Sequence, residues 1–180
     1  MKRRGSSCFL TWIAVAAVLF TPATVMAAVD TFLSISGIKG ESTDAAHPDE
    51  IEVLSWSWGE STGTARTRRG PLPAACIQDL ALMKVIDSAS PQLVLNAVAG
   101  SVAPEAVLTM RKSGESPLEF LVLRMTNVTV VSYQISASSE RPTESVALHF
   151  ESMKGEYRRQ KADGTAEPPV FFEVGGKVCK

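Results

Sequence analysis

The segment Ile51–Trp58, which reads I-E-V-L-S-W-S-W, constrains the fold more than any other part of the chain. As a β-strand it has two faces of alternating residues, and each face carries apolar side chains. One face holds Ile51, Val53, Ser55 and Ser57, and the other holds Glu52, Leu54, Trp56 and Trp58. Such a strand is either buried on both sides within one domain, or it is a wall strand that lies partly against a neighbouring subunit. Cores and interfaces are both rich in aromatic side chains, so the strand alone does not decide.

Residues 1–27 have the three parts of a secretory signal peptide. A basic head is followed by the apolar run Phe9–Phe20 and by small residues that end at Ala27. The run is shorter than the roughly 20 residues that a membrane span needs. We therefore expect cleavage between Ala27 and Ala28, or one residue later, and export of the mature chain to the periplasm or the medium. The alternative is that Met26 is the true start and the protein remains cytoplasmic.

The charge balance of the remaining chain excludes some partners. Three of the 18 basic residues lie in residues 1–27, which leaves 15 basic and 19 acidic residues, a net charge of −4. An acidic balance argues against binding nucleic acid or an anionic membrane. The length of residues 28–180 predicts a single domain with one core.

Strand patterns dominate the mature chain, and turn signals separate them. Among the predicted strands are Leu118–Met125, Asn127–Ala137 and Thr143–Phe150, the last with an inward row of Val146, Leu148 and Phe150 behind Glu144. One helix is predicted, with a serine cap before Pro91, an end at Gly100 and a stripe of apolar residues. That stripe is Leu93, Val94, Ala97 and Val98. The fold class is therefore mainly β, a small barrel or sandwich with one helix.

A long polar loop, Gly59–Pro73, follows the tryptophan strand. It has no apolar periodicity and contains Arg66, Arg68 and Arg69. Long loops in compact domains are either functional or simply mobile, and both interpretations stay open.

Catalytic chemistry is not indicated. Ser61 lies in a G-x-S-x-G pattern, but no helix pattern follows it, and its partner would have to be His149 in the middle of a strand. No metal site, cofactor or small-molecule substrate is predicted, because the two histidines are far apart and no phosphate-binding loop is present. Cys76 and Cys179 allow a disulfide, although Cys179 is the second-last residue.

Motifs along the mature chain resemble the hemolysin-coregulated protein (Hcp) family, the tube-forming subunits of bacterial type VI secretion systems. The specific matches are the block Asp49–Gly59 and the Lys-Ala-Asp-Gly turn within Gln160–Gly164. Supporting matches are Lys39–Ser42, Ser90–Pro91, Leu108–Lys112 and Glu144–Phe150. Together the matching pieces cover nearly all of the mature chain in order.

The resemblance implies a small closed β-barrel with one helix, six copies that form a ring, and rings that stack into a hollow tube. Its implied partners are further copies of itself, the contractile sheath, the spike and effector proteins carried in the ring. Candidate contacts between copies or rings are Trp56, Trp58, Arg66, Arg68 and Arg69. No enzymatic activity is implied.

Three features depart from the family. Its members usually begin near Ala28 without an export signal, their long loop is richer in glycine, and their C-terminal ending differs from residues 171–180. These departures support an alternative function, an exported Hcp-like binding protein that no longer forms a tube.

Overall fold

The computed structural model describes residues 28–61, 76–114, 117–137 and 141–175. This part of the chain forms ten strands and one helix. They are β1 (Val29–Ile35), β2 (Ile51–Ser57), β3 (Glu60–Ser61), β4 (Cys76–Ile77), β5 (Leu80–Val85), α1 (Ser90–Ala99), β6 (Val102–Lys112), β7 (Leu118–Ser136), β8 (Thr143–His149), β9 (Ser152–Tyr157) and β10 (Val170–Gly175).

Strand β7 closes the barrel. It is 19 residues long and pairs with β6 up to Thr129, and from Thr129 onwards it pairs with β8. The order β7-β6-β1-β2-β5-β8 therefore returns to β7 and forms a closed barrel of antiparallel strands, and the hairpin β9–β10 extends from the first half of β7. The closed β-barrel that the sequence predicted is confirmed.

One strand stands where the sequence pattern suggested two, Leu118–Met125 and Asn127–Ala137. Asn127, with φ of 51°, joins them, because asparagine tolerates the left-handed region better than most residues. Val131 is an extra residue between Val130 and Ser132 in the pairing with β8. Such bulges bend and twist a strand, which suits β7 for pairing with different strands along its length.

A second bulge changes the predicted faces of the tryptophan strand. Between Val53 and Ser55, β2 advances two residues while its partner β5 advances one, so Leu54 is the extra residue. A shift of one residue moves all later side chains to the opposite face. Ile51 and Val53 therefore point inward, but beyond Leu54 the inward residues are the tryptophans, and the prediction that Ser55 and Ser57 share the face of Ile51 was wrong.

The barrel interior is filled by apolar side chains from every main strand and from the helix. Leu33, Ile51, Leu80, Leu93, Leu108, Leu123, Met125, Leu148 and Met153 are all fully buried. The predicted inward row of β8, Val146, Leu148 and Phe150 behind Glu144, is confirmed by the burial of all four residues.

The helix differs from its prediction in two respects, its N-terminal cap and the last residue of its apolar stripe. The predicted serine cap was wrong, because Ser90 is the first helical residue and the capping position is Ala89, whose side chain cannot accept a hydrogen bond. The hydroxyl of Ser90 accepts from Lys84 Nζ and from the backbone N–H of Asp87. Gly100 ends the helix in the left-handed conformation as predicted, but Val98 is 84% exposed and lies outside the buried stripe. No helix in the described residues is long and apolar enough to cross a membrane.

Replacing Gly40 by alanine should destabilise the fold. The N–H of Gly40 donates to the carbonyl of Asp49 at 2.8 Å, and an added Cβ would lie 2.3 Å from the carbonyl oxygen of Glu50. Backbone cannot yield as a flexible side chain does, so Gly40→Ala should lower the free energy of unfolding by about 1–3 kcal/mol. Chemical denaturation measures this, with Gly59→Ala as the control, because a Cβ there meets only the side chain of Gln78 at 3.5 Å. Equal stabilities of the two variants would contradict the prediction.

Candidate functional site

Four adjacent strands present an outer face with no charged residue at its centre. Because the inward residues of β2, β5, β8 and the second half of β7 are in the core, the alternate residues of these strands point outward. The pairing registers align them in two rows across the sheet. The rows are Ser55–Met83–Ser145–Gln134 and Ser57–Ala81–Ala147–Ser132, and we call this face the uncharged wall.

The composition of the uncharged wall is unusual for a chain in which 21% of residues are charged. Seven of its eight side chains are small or amide-bearing, and only Met83 is large and apolar, with 43% exposure. Asp79 and His149 follow at one end of the wall, and a hydrogen bond of 2.8 Å joins His149 Nδ1 and Asp79 Oδ1. Most side chains of the wall are therefore short, and the wall offers few groups that would hold another molecule tightly.

Within the residues that the structure describes, both margins of the uncharged wall are free strand edges. On one side, β2 pairs with β1 only at Glu52 and Ile51, so its later residues have no partner strand on that side within the described part of the chain. On the other side, the pairing of β7 with β6 ends at Thr129 and with β9 at Thr126. Free edges present unpaired backbone N–H and C=O groups, which are ready to pair with another chain.

The predicted contact residues fall in two groups. Trp56 and Trp58 are half-buried and pack against the core, with the ring of Trp58 at 6.5 Å from that of Phe150. The indole N–H of Trp58 is buried without a hydrogen-bond partner in the described residues. Their contribution to a contact between copies stays a prediction.

Most of the other predicted contact and cleavage-site residues lie outside the residues that the structure describes. Arg66, Arg68, Arg69 and Ala27 are not among the described residues, and Cys179 also falls outside them. Ala28 is exposed and accepts a backbone hydrogen bond from Ser113 at 2.9 Å, next to the start of β1.

A buried ion pair supports the uncharged wall from inside. Lys84 of β5 and Glu144 of β8 are register partners whose side chains are fully buried, with Lys84 Nζ 2.9 Å from Glu144 Oε2. Lys84 also donates to Asp87 Oδ1 at 2.7 Å and to Ser90 Oγ at 3.1 Å. The Tyr133 hydroxyl donates to Glu144 Oε1 at 2.6 Å. Three strands of the wall and the start of the helix are thus joined by one polar network.

Hydrogen bonding determines the charge state of this network. Burial alone would raise the pKa of Glu144, but hydrogen bonds from Ser90, Tyr133 and Lys84 outweigh burial and hold the pKa below its ordinary value of 4.5. Burial, with the bond to the Glu144 carboxylate, raises the pKa of Tyr133. The Glu144 carboxylate is therefore charged at neutral pH. The sequence held a clue to this pair, since Lys84 and Glu144 continue the apolar inward rows of their strands.

An open groove lies between β1 and β2 where their pairing ends, and we call this place the seam. It has a volume of about 460 Å³, and Val29, Leu54 and Glu52 are among the residues that line it. Val29 is 48% exposed and Leu54 is 60% exposed, so apolar surface faces solvent there. The groove exists because the two strands share only two register pairs before they separate.

Arg111 stabilises the seam. Its guanidinium binds both carboxylate oxygens of Asp44, lies 3.4 Å from Asp30, and is 5.1 Å from the ring centroid of Phe32. The ring of Phe32 also stacks on the ring of His47, with 4.5 Å between the ring centroids. The bonds from Arg111 and from the backbone N–H of Ala46 hold the pKa of Asp44 well below its usual range.

Comparison with known proteins gives consistent matches. The family described as "Type VI secretion system effector, Hcp" matches residues 32–157. Protein hcp1 of Pseudomonas aeruginosa is 39% identical over 145 residues, which cover 78% of this chain and 90% of that protein. The crystal structure of Hcp1 from Salmonella typhimurium is similar, with a TM-score of 0.69 and 34% identity over 83% of this chain and 95% of that one. A type VI secretion system effector from Yersinia pestis gives a TM-score of 0.68 and 29% identity, covering 82% of this chain and 100% of that one.

Breaking the buried ion pair should be costly, and neutralising both partners should be less so. Lys84→Met leaves the Glu144 carboxylate buried without its cation and should destabilise the protein by about 3–5 kcal/mol. Adding Glu144→Gln removes the uncompensated charge, so the double variant should recover part of that loss. Denaturation of wild type, both single variants and the double variant gives the coupling between the sites.

The pH dependence of stability should change with the same substitutions. Because the folded pKa of Glu144 is lowered, its contribution is complete above pH 4.5 and is lost as the pH falls below that value. The double variant should therefore lose less stability than wild type between neutral pH and acid pH, with Asp44 accounting for a remaining slope. Parallel stability curves for the two proteins would contradict this assignment.

Proposed function

The chain belongs to the Hcp family of type VI secretion proteins, and we propose that it is a non-enzymatic subunit whose copies form a hexameric ring around a hollow centre. Rings of this kind would stack into a conduit for effector proteins. The observation that carries the proposal is the uncharged wall with a free strand edge at each margin.

The two free edges are placed as ring closure requires. Strands β2 and β7 lie opposite each other in the six-strand barrel, separated by two strands along either path. A ring is closed by heterologous contacts, in which one patch meets a different patch on the next copy. The β2 edge of one copy beside the β7 edge of the next would extend the four-strand wall from subunit to subunit. Each contact would also satisfy backbone groups that are otherwise left to solvent.

The uncharged wall suits the inner surface of such a ring. A charged lining would attract proteins of one sign and repel those of the other. A large apolar lining would bind exposed hydrophobic surface. Serine, alanine and glutamine side chains do neither, so the wall allows a folded protein to enter and leave. The sheath, the spike and effector proteins are the proposed partners of the assembled tube.

We further propose that residues 1–27 are an export signal and that residues 28–180 are the functional domain. The basic head, the apolar run and the small residues before Ala28 support this division. Export would separate this copy from a sheath that assembles in the cytoplasm. The signal therefore favours, as a second candidate, an exported Hcp-like protein that binds a partner without forming a tube.

The purified protein should assemble into rings. Light scattering coupled to size exclusion should give a mass near six subunits, and negative-stain microscopy should show particles with a central opening. A monomer that persists at the highest soluble concentration would contradict the ring proposal. It would leave the exported binding protein as the better description.

The mass of the N-terminus tests the compartment. Expression of the full sequence in a bacterial host should yield a chain that begins at Ala28 or Val29 and is recovered from the periplasm. An unprocessed chain in the cytoplasm, or one that begins at Met26, would show that residues 1–27 are not an export signal. As a control, an Ala27→Arg variant should remain unprocessed, because the cleavage site requires a small residue.

A further inference from the structure

The inward-facing apolar residues of β7 continue onto the hairpin β9–β10, which extends beyond the barrel. Its inward residues are aligned with those of β7 by the pairing registers. The rows are Val174–Met153–Met125, Phe172–Gly155–Leu123 and Val170–Tyr157–Leu121. Met125 and Leu123 lie in the core, so the outer members of these rows lie on the core side of the sheet.

Exposure along this face rises towards β10. Met153 is fully buried, but Tyr157 is 47% exposed, Phe172 is 40% exposed and Val170 is 67% exposed. We call these last three residues the hairpin face. Nothing in the described part of the chain covers it, although it continues a surface that is buried in the barrel.

The hairpin face is a shaped surface. A Cβ on Gly155 would lie 2.0 Å from ring carbons of Phe172, so the absence of a side chain at Gly155 lets the Phe172 ring lie across β9. The ring therefore occupies the space beside Gly155, while 40% of Phe172 remains exposed to solvent. An exposed aromatic ring with an aliphatic neighbour is well suited to pack against another apolar surface.

The position of the hairpin face indicates which surface packs against it. It lies on the β7 side of the barrel, next to the free edge of β7 that the ring proposal assigns to the next subunit. In a ring of copies in the same orientation, the next subunit presents its β1–β2 side there. That side holds the open groove, in which Val29 and Leu54 offer exposed apolar surface. The hairpin face and the groove both expose apolar side chains, and they lie on opposite sides of the barrel.

Charge favours the same pairing. Arg159 follows Tyr157 by two residues, and Glu52 lies on the rim of the groove. Within the described residues, neither Arg159 nor Glu52 belongs to an ion pair. By contrast, the neighbouring Arg158 is paired with Glu156, and the groove carboxylates of Asp30 and Asp44 are paired with Arg111. A basic residue beside the hairpin face thus corresponds to an acidic residue beside the groove.

We propose that the hairpin face of one subunit packs over the β1–β2 groove of the next, with Arg159 of the first opposite Glu52 of the second. This contact rests on the proposed ring and adds an outer layer to it, outside the contact between the β2 and β7 edges. We call this contact between neighbouring subunits the clasp. The groove between β1 and β2 would be filled only in the assembled ring.

A charge exchange tests the pairing. Arg159→Glu and Glu52→Arg should each raise the protein concentration at half-assembly by roughly tenfold, because each places like charges in contact. The double variant exchanges the two signs and should assemble close to wild type. Sedimentation velocity over a concentration series measures assembly, and circular dichroism checks that each monomer is folded.

A second pair of variants tests the apolar part. Val170→Asp places a charge on the hairpin face and should weaken assembly at least as strongly as either charge reversal. Phe171→Asp is the matched control, since Phe171 is 68% exposed on the opposite face of the same strand and should leave assembly unchanged. Both substitutions fall on an exposed edge strand.

The outcomes separate this contact from the ring itself. Wild-type rings that tolerate both Val170→Asp and the single charge reversals would overturn the clasp and leave the ring proposal intact. Failure of the double variant to recover would overturn the pairing of Arg159 with Glu52. A wild-type protein that forms no rings would overturn the ring proposal and the clasp with it.

Discussion

The single extra residue at Leu54 determines how the two halves of β2 are used. Before it, Ile51 and Val53 contribute to the core, and after it the tryptophans do. Without the bulge, the tryptophans would point outward and the serines inward, because alternation would continue unbroken. The bulge therefore places the largest side chains of the strand against the core and leaves Ser55 and Ser57 on the outer face. The uncharged wall depends on this exchange of faces.

The same bulge lies beside the separation of β1 from β2. Leu54 lies where the ladder between the two strands has already ended, and its side chain is among those that line the open groove. A free edge, an open groove and an uncharged face thus meet along one strand. In a monomer this would be an exposed and aggregation-prone edge. In the proposed ring it would be the side that meets the next copy, and behind it the buried pair of Lys84 and Glu144 joins the neighbouring strands β5 and β8.

Much of the fold could be predicted from residue patterns. The inward row of β8 alternates cleanly, and the helix ends at a glycine in the left-handed conformation, so local physics determines both features. The family resemblance, supported by the block Asp49–Gly59, indicated the closed barrel and its secretion system. The bulge at Leu54 was missed, because an extra residue is defined by the partner strand and leaves no mark in a single strand. The predicted serine cap was wrong for a related reason, since the hydroxyl of Ser90 accepts a hydrogen bond from Lys84, a residue brought close only by the fold.

The site was harder to predict than the fold. An interface built from free edges is a property of pairing, and pairing is not visible in composition or periodicity. Trp56 and Trp58 stood out in the sequence because they are large, whereas the small residues of the uncharged wall did not. The functional surface proposed for this protein is distinguished by what its side chains lack, namely charge and bulk. Sequence motifs seldom reveal such a surface.

The most direct measurement is the structure of the assembled protein by electron cryomicroscopy, at a resolution that identifies strands. A ring in which Ser57, Ala81 and Ser145 face the central opening, with β2 of each copy beside β7 of the next, is the predicted result. A ring in which the helix or the outer face of β10 lines the opening would contradict it. So would copies that meet through identical patches, because such a contact is isologous and does not use the two different edges of the wall.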